Sequence, residues 1–415
     1  KHRRCRTGHF QFSSKFSGMK SVTAFPEPDR ISGAPHPRDT LRLIGQSEAE
    51  NNFLAAFNSN RLHHGWLING PRGVGKATLA WSIARFLLAT PLQAAGGLFD
   101  DVLPPPDTLE VAQSHPVYSR IRAGSEPGLF VLRRPYDEKT NRLKKQITVD
   151  EVRKLKNFFA LSATDGGRRV VIVDAADDMN TSAANAILKV LEEPPERCCL
   201  LLISHQPAGL LPTLRSRCCD LRLLPLGPQN MAEALQQAET ASPTGGEDDS
   251  SAQIETVAAS LPASHGHAAV LAELSAGSVG GSIRLSNLDG LTLYHDVVKL
   301  FSNLPNLDRS QAIKMADTAA MRGAEDRFDM LVTLLDIFLA RLARSGVTGQ
   351  MPEVEITRGE FDVLRKAAPN AASGRAWAEC AQQITARIHH GRAVNLDPAA
   401  LILDTVFRMQ KTAAH

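Results

Sequence analysis

The stretch Trp66-Leu67-Ile68-Asn69-Gly70-Pro71-Arg72-Gly73-Val74-Gly75-Lys76-Ala77-Thr78 decides how the rest of the chain is read. Trp66-Leu67-Ile68 reads as a short buried strand that runs directly into Gly70-x-x-x-x-Gly75-Lys76. That spacing, between a strand and a helix, is the phosphate-loop pattern. The helix that follows, residues 77–88, carries Leu79, Ile83, Phe86 and Leu87 on one side. Gly70, Gly73 and Gly75 let backbone N–H groups turn inward around phosphates, and the helix N-terminus favours the anion. Lys76 is positioned to reach the terminal phosphates. The next residue should carry a hydroxyl for Mg²⁺, and it is Ala77. Thr78 offers a hydroxyl one position later, turned by about 100° on a helix.

Downstream, Arg169-Val170-Val171-Ile172-Val173-Asp174 is an apolar run ending in an acid. Such runs mark strands buried on both faces of a parallel sheet. Asp174 is the expected second nucleotide-site residue, holding Mg²⁺ through water. Hydrolytic phosphate-loop enzymes of this type follow that acid with a glutamate that polarises the attacking water. Here the position is Ala175, and a methyl group cannot orient water. Two groups required for hydrolysis are therefore missing, at Ala77 and Ala175.

Around these anchors, strands alternate with helices. Residues 48–57 read as a helix, with Phe53, Leu54 and Phe57 on one face. Residues 129–132, 200–203 and 220–224 read as strands. Thr148-x-x-Glu151 predicts a capping box for a helix reaching about Leu161. A helix over 182–193 is stopped by Pro194-Pro195. The alternation implies an open α/β sheet. Residues 90–127 read as an irregular, Pro/Gly-rich insertion. Beyond Pro225 the strand pattern stops. Residues 226–285 read as short helices around a low-complexity stretch, 241–253. From Leu291 onward the pattern is helical throughout, as in 326–342 and 399–409.

Composition narrows the class. The 415 residues are 43% hydrophobic and 22% charged, which excludes wholesale disorder. Six cysteines in this length exclude a disulfide scaffold and fit a reducing, cytoplasmic compartment. No apolar run approaches the 18 or so residues that a membrane helix needs. The basic N-terminus (Lys1, Arg3, Arg4, Arg6) is not followed by an apolar segment of the secretory type. Residues 1–18 hold five basic and no acidic residues, and Met19 is the expected natural start. Without them the formal charge falls from +3 to −2, with 42 basic residues against 44 acidic. The overall basicity is then no argument for DNA binding.

A further set of residues carries a resemblance. Asp174-Ala175-Ala176-Asp177, Ala183-Ala184-Asn185-Ala186-Ile187-Leu188-Lys189, Leu191-Glu192-Glu193-Pro194-Pro195 and Leu211-Pro212-Thr213-Leu214-Arg215-Ser216-Arg217-Cys218 are similar to the clamp-loader branch of the AAA+ proteins. The resemblance is strong over residues 41–225 and weaker at 277–285 and 395–397. It implies an α/β P-loop AAA+ core, a parallel sheet flanked by helices, with a small helical lid and an all-α C-terminal collar. The corresponding boundaries are an unstructured extension at 1–40, the core at 41–225, the lid at 226–288 and the collar at 289–415. The Ser216-Arg217-Cys218 motif implies that Arg217 acts in trans, as a finger on a neighbouring subunit's ATP. A planar, permanently charged guanidinium suits that task.

The resemblance also defines departures. Active relatives carry a lid arginine shortly after a Gly-Ser pair, and here Gly277-Ser278 is followed by Val279 and Gly280. Arg284 comes a full turn later. Relatives with a zinc module use four cysteines after the phosphate-loop helix, but this chain has none between Cys5 and Cys198. Cys198-Cys199 and Cys218-Cys219 are adjacent pairs, which point to opposite faces of a strand. Zinc is therefore not expected, and no other cofactor is required. ATP or ADP is expected to be held weakly at most, at Gly70, Gly73, Gly75, Lys76, Thr78 and Asp174.

The implied partners are ATP-hydrolysing subunits of the gamma/tau type, a delta subunit, the sliding clamp, and primed DNA through the assembled complex, with no membrane. The implied function is that of a non-hydrolysing subunit of a replicative clamp loader. The alternatives are an ATP-hydrolysing clamp-loader subunit and an AAA+ scaffold outside replication. Three weaker features remain. His63-His64 read as loop packing rather than a metal site. Ser204, before His205, reads as a vestigial γ-phosphate sensor. Arg133-Arg134 with Lys139–Lys145 read as a solvated face, with a DNA-backbone contact as the alternative.

Overall fold

The computed structural model of the chain describes residues 27, 30–59, 61–91, 104–140, 142–160, 167–241, 266–321 and 325–414. The head at 1–18 and residues 242–253 of the low-complexity stretch lie outside them.

Parallel strands form the centre of the N-terminal half. They are β1 (Gly65–Asn69), β2 (Leu129–Arg133), β5 (Arg169–Asp174), β6 (Cys198–Ser204) and β7 (Cys219–Arg222), in the order β2-β5-β6-β1-β7. A short antiparallel pair, β3 (Tyr136–Asp137) and β4 (Arg142–Leu143), projects after β2. The register sets Val170 beside Cys199, Leu67 beside Leu202 and Ile68 beside Leu221. Strand β5 alternates cleanly between the two faces. Val170 and Ile172 join one core with Phe53, Leu79, Ile83, Leu201 and Ile203. Val171 and Val173 join the opposite core with Leu155, Ile187, Leu191, Leu200 and Leu202. Both faces are thus dry, which explains why β5 and β6 read as continuous apolar runs.

The first face is covered by α1 (Ser47–Asn58) and α2 (Lys76–Ala89), the second by α4 (Val149–Ala160) and α5 (Thr181–Glu192). Asn180 caps α5, its side chain accepting from the N–H of Ala183 at 2.8 Å. The carboxyl ends of β1, β5 and β6 meet at one edge of the sheet, where ligands bind in open α/β folds.

The described part of the insertion, residues 104–127, is more ordered than its composition suggests. It holds α3 (Pro116–Arg122), with Pro116 in the first turn and His115 accepting from Val117 N–H. Val117, Tyr118 and Ile121 anchor this helix by burial. Residues 30–40, expected to belong to an unstructured extension, also pack on the core. Buried Arg85 donates to the carbonyls of Arg38 and Thr40 at 2.6 and 3.0 Å. The buried His36 ring meets Trp81 edge-on at 5.8 Å. Glu27 receives Arg133 at 2.8 Å and Arg38 at 3.2 Å. Such a strap has no periodicity to announce it, because hydrogen bonds and ion pairs hold it instead of an apolar face.

A four-residue helix α6 (Pro212–Arg215) precedes β7, and after β7 every regular element among the described residues is a helix. Helices α7 (Pro228–Ala241), α8 (His267–Leu274) and α9 (Val279–Asn287) come first. They are followed by α10 (Gly290–Ser302), α11 (Arg309–Ala320), α12 (Glu325–Thr348), α13 (Glu360–Ala367), α14 (Ala371–Ala393) and α15 (Pro398–Ala413). Tyr294, Phe301, Phe338 and Trp377 pack at steep ring angles within a third core. The region at 226–288 contributes to two cores. Met231, Ala234 and Ala272 pack with the sheet's first face, while Val270, Leu271, Leu274 and Leu285 join the C-terminal helices.

No helix among the described residues is long and apolar enough to cross a membrane.

Candidate functional site

The phosphate loop follows β1 as the strand–loop–helix pattern requires. Gly73 and Gly75 have φ of 79° and 101°, in the left-handed region that L side chains rarely adopt. Gly75 stands at the N-cap of α2, so the loop feeds the N-terminal N–H groups of a fourteen-residue helix.

A cavity of about 770 Å³ opens here, lined by Gly73, Gly75, Lys76, Thr78 and Asp174. Five of the six sequence-predicted nucleotide-site residues therefore share one space. Gly70 is not in the lining, but its carbonyl accepts from Lys76 Nζ at 2.7 Å. Lys76 Nζ also donates to the Pro71 carbonyl. The lysine is thus held by its own loop. Burial pushes its pKa down to about 8, against the carboxylates of Asp177 and Asp174.

The second acid, Asp174, lies buried at the end of β5. Asp177, three residues on, has a role that sequence spacing does not reveal. It accepts the Ser204 hydroxyl at 2.7 Å and the backbone N–H groups of His205 and Gln206. Ser204 therefore donates its hydroxyl to Asp177 rather than into the cavity. His205 lines the cavity in its place. Its pKa is lowered to about 4, mainly by burial and then by the Lys76 and Arg72 cations.

The lid side of the cavity is built by the first turn of α9. Ser278 caps that helix, its hydroxyl accepting from Gly281 N–H at 2.9 Å. Gly280 N–H donates to the Gly73 carbonyl at 3.1 Å. A Cβ added at Gly280 would stand 2.8 Å from Ile31 Cδ1 and 3.2 Å from Gly73 Cα. The place where active relatives are expected to hold an arginine is thus a backbone-to-backbone contact. Arg284 reaches the cavity rim and pairs with Asp326 at 3.7 Å. Asn287 donates to the Ser32 carbonyl at 2.7 Å, so the strap at 30–34 lies against the same helix.

Arg217 is not part of this cavity. It follows α6, with its side chain 38% exposed. One terminal nitrogen donates to the Thr213 carbonyl at 3.0 Å, and the other pairs with Glu192 Oε1 at 3.0 Å. Glu192 is the last residue of α5 and belongs to the Leu191–Pro195 stretch.

The remaining candidates take packing roles. His63 and His64 stack at 4.3 Å between ring centres, and His64 Nε2 bonds the Leu191 carbonyl at 2.9 Å. Among the described residues, no group of three or more His, Cys, Asp or Glu side chains is arranged to hold a metal. Burial pushes the thiols of Cys198 and Cys218 up to about 12, so both are protonated at neutral pH.

Comparison with known proteins agrees with this layout. Residues 45–227 match the profile of the family described as DNA polymerase III, delta subunit. The DNA polymerase III subunit delta' of Pseudomonas aeruginosa is 40% identical over 155 residues, covering 37% of this chain and 41% of that protein. The delta' subunit of Yersinia pestis is 34% identical over 166 residues, 40% of this chain and 43% of that protein. A DNA polymerase III subunit gamma/tau of Mycobacterium tuberculosis is 26% identical over 207 residues, 48% of this chain and 31% of that protein. The chain spans about two fifths of the length of the delta' relatives it matches. Over residues 45–227, the chain is similar to the family described as DNA polymerase III, delta subunit, and to delta' and gamma/tau subunits of that polymerase.

Proposed function

We propose that this chain is a clamp-loader subunit of a replicative DNA polymerase III that does not itself hydrolyse ATP. In this reading it gives Arg217 to the ATP site of a neighbouring gamma/tau-type subunit. A delta subunit, the sliding clamp and primed DNA complete the assembly, and the helices from 289 onward form the collar that holds the chain in the ring. Its place of action is the cytoplasm.

The observation that carries the proposal is the Gly280–Gly73 contact. Backbone fills the position from which a lid arginine would reach phosphate. Ala77 supplies no hydroxyl to a metal and Ala175 no carboxylate to a water. Electrostatic stabilisation of the transferred phosphoryl group is the main source of rate in such sites, so these losses compound. Arg217 lies outside the cavity on a partly exposed surface, which supports a role in trans. The retained Lys76 and Asp174 fit, at most, a nucleotide held as a structural ligand.

The test is an ATPase assay of the isolated chain beside Lys76→Ala. The proposal expects no turnover above background in either protein. Turnover that Lys76→Ala abolishes would establish the ATP-hydrolysing alternative instead.

A further inference from the structure

We infer that Glu192 is a positioning residue for Arg217: its carboxylate holds the guanidinium until a neighbour's phosphate replaces it. The inference rests on the in-trans reading of Arg217.

The two residues come from different elements. Glu192 ends α5, whose inner face is fixed by Ala183, Ile187 and Leu191. Arg217 follows α6, which is pinned by the fully buried Leu214. Both backbones are therefore anchored in the same core, on the sheet's second face, and the pair is formed by side chains at its rim. The guanidinium is held at both ends, by Thr213 O and Glu192 Oε1, each at 3.0 Å. An arginine pairs equally well with carboxylate and phosphate because both match its planar fork. Glu192 thus offers the kind of anion that Arg217 would meet across the ring.

Magnitudes decide which anion wins. Both side chains are well exposed, at 38% and 43%. Exposed pairs of this kind are weak and screened by salt. A triphosphate carries several charges and can take both arms of the fork, so it displaces the glutamate. An empty neighbouring site offers no competing anion, and the finger stays where it is. Glu192 therefore opposes engagement slightly, and its effect is greatest when the neighbour binds nucleotide poorly.

Two measurements test this separately. The first is ¹⁵N relaxation of the Arg217 guanidinium in the isolated chain. Restricted motion is expected, and Glu192→Gln should release it. A side chain already mobile in the unaltered protein, or unchanged in Glu192→Gln, would overturn the inference whatever Arg217 does in a complex.

The second is the ATPase of the complex reconstituted with the ATP-hydrolysing subunits, without clamp or DNA. Glu192→Gln should raise it by up to about five-fold, which corresponds to the 1 kcal/mol upper range for an exposed pair. The gain should shrink at high salt. It should also vanish when combined with Arg217→Ala. A rate unchanged, or lowered to the Arg217→Ala level, contradicts the inference. If Arg217→Ala alone leaves the ATPase of the complex unaltered, the in-trans reading fails, and the relaxation result identifies that case.

Discussion

The backbone N–H of Gly280 donates to the carbonyl of Gly73 at 3.1 Å, joining the first turn of α9 to the phosphate loop. The contact depends on the absence of side chains at both positions. A Cβ at Gly73 would fall on the Ser278 hydroxyl that caps α9, and its φ of 79° already disfavours any other residue. Gly73→Ala is therefore expected to cost about 2 kcal/mol or more, combining the left-handed backbone penalty with displacement of the cap. Urea unfolding measures it. Gly280→Arg should lower the melting temperature and still give no ATPase, because the arginine cannot be added without parting α9 from the loop. A stable, active Gly280→Arg protein would show that the contact is dispensable.

The junction of α8 with the C-terminal helices supplies a second prediction. Arg341 is buried on α12 and donates to Glu360 Oε1 at 2.8 Å, Glu273 Oε1 at 2.6 Å and the Val354 carbonyl at 2.6 Å. Glu360 is fully buried and also receives Tyr294 Oη and Ile356 N–H, each at 2.7 Å. Arg341→Met leaves that carboxylate without its counter-charge. Removing one partner of a buried pair costs about 3–5 kcal/mol. Adding Glu360→Gln to Arg341→Met should recover part of the loss. If denaturant unfolding finds Arg341→Met as stable as the parent, the network contributes specificity only.

How much of this was legible beforehand follows from how each part is held. Strand β5 was readable to the residue because burial on both faces demands an unbroken apolar run ending at Asp174. The loop at 70–76 was readable because left-handed backbone at Gly73 and Gly75 requires glycine. Helix α3 was missed since seven residues with a proline start give too little periodicity. The strap at 30–40 was missed because Arg85 and Asn287 hold it by polar contacts distant in sequence. In the site, Gly280 was visible as a departure, but not its docking on Gly73. The Ser204–Asp177 hydrogen bond was not legible, because it joins residues 27 apart in sequence on different elements.

A pH dependence follows from His205. Its folded-state pKa of about 4 lies below the 6.5 of a free imidazole, owing first to burial and then to Lys76 and Arg72, with Asp177 opposing. The unfolded chain therefore takes up the proton first as pH falls. Stability from this group is intact above about pH 6.5 and is lost between 6.5 and 4. The melting temperature should fall across that window, and His205→Asn should remove part of the fall. Lys76 acts at the other end. Its pKa of about 8, against 10.5, means that stability rises as pH increases between those values. Lys76→Met should flatten that rise. Identical profiles for variant and parent would contradict either assignment.

The central claim concerns Arg217, and the ATPase of the reconstituted complex, stimulated by clamp and primed DNA, tests it most directly. An arginine finger contributes about 10³–10⁵-fold at the site it serves. Arg217→Ala should assemble normally yet lose hydrolysis at that one site under single-turnover conditions, with Arg217→Lys restoring little. Assembly with full single-turnover hydrolysis at every site would contradict the account.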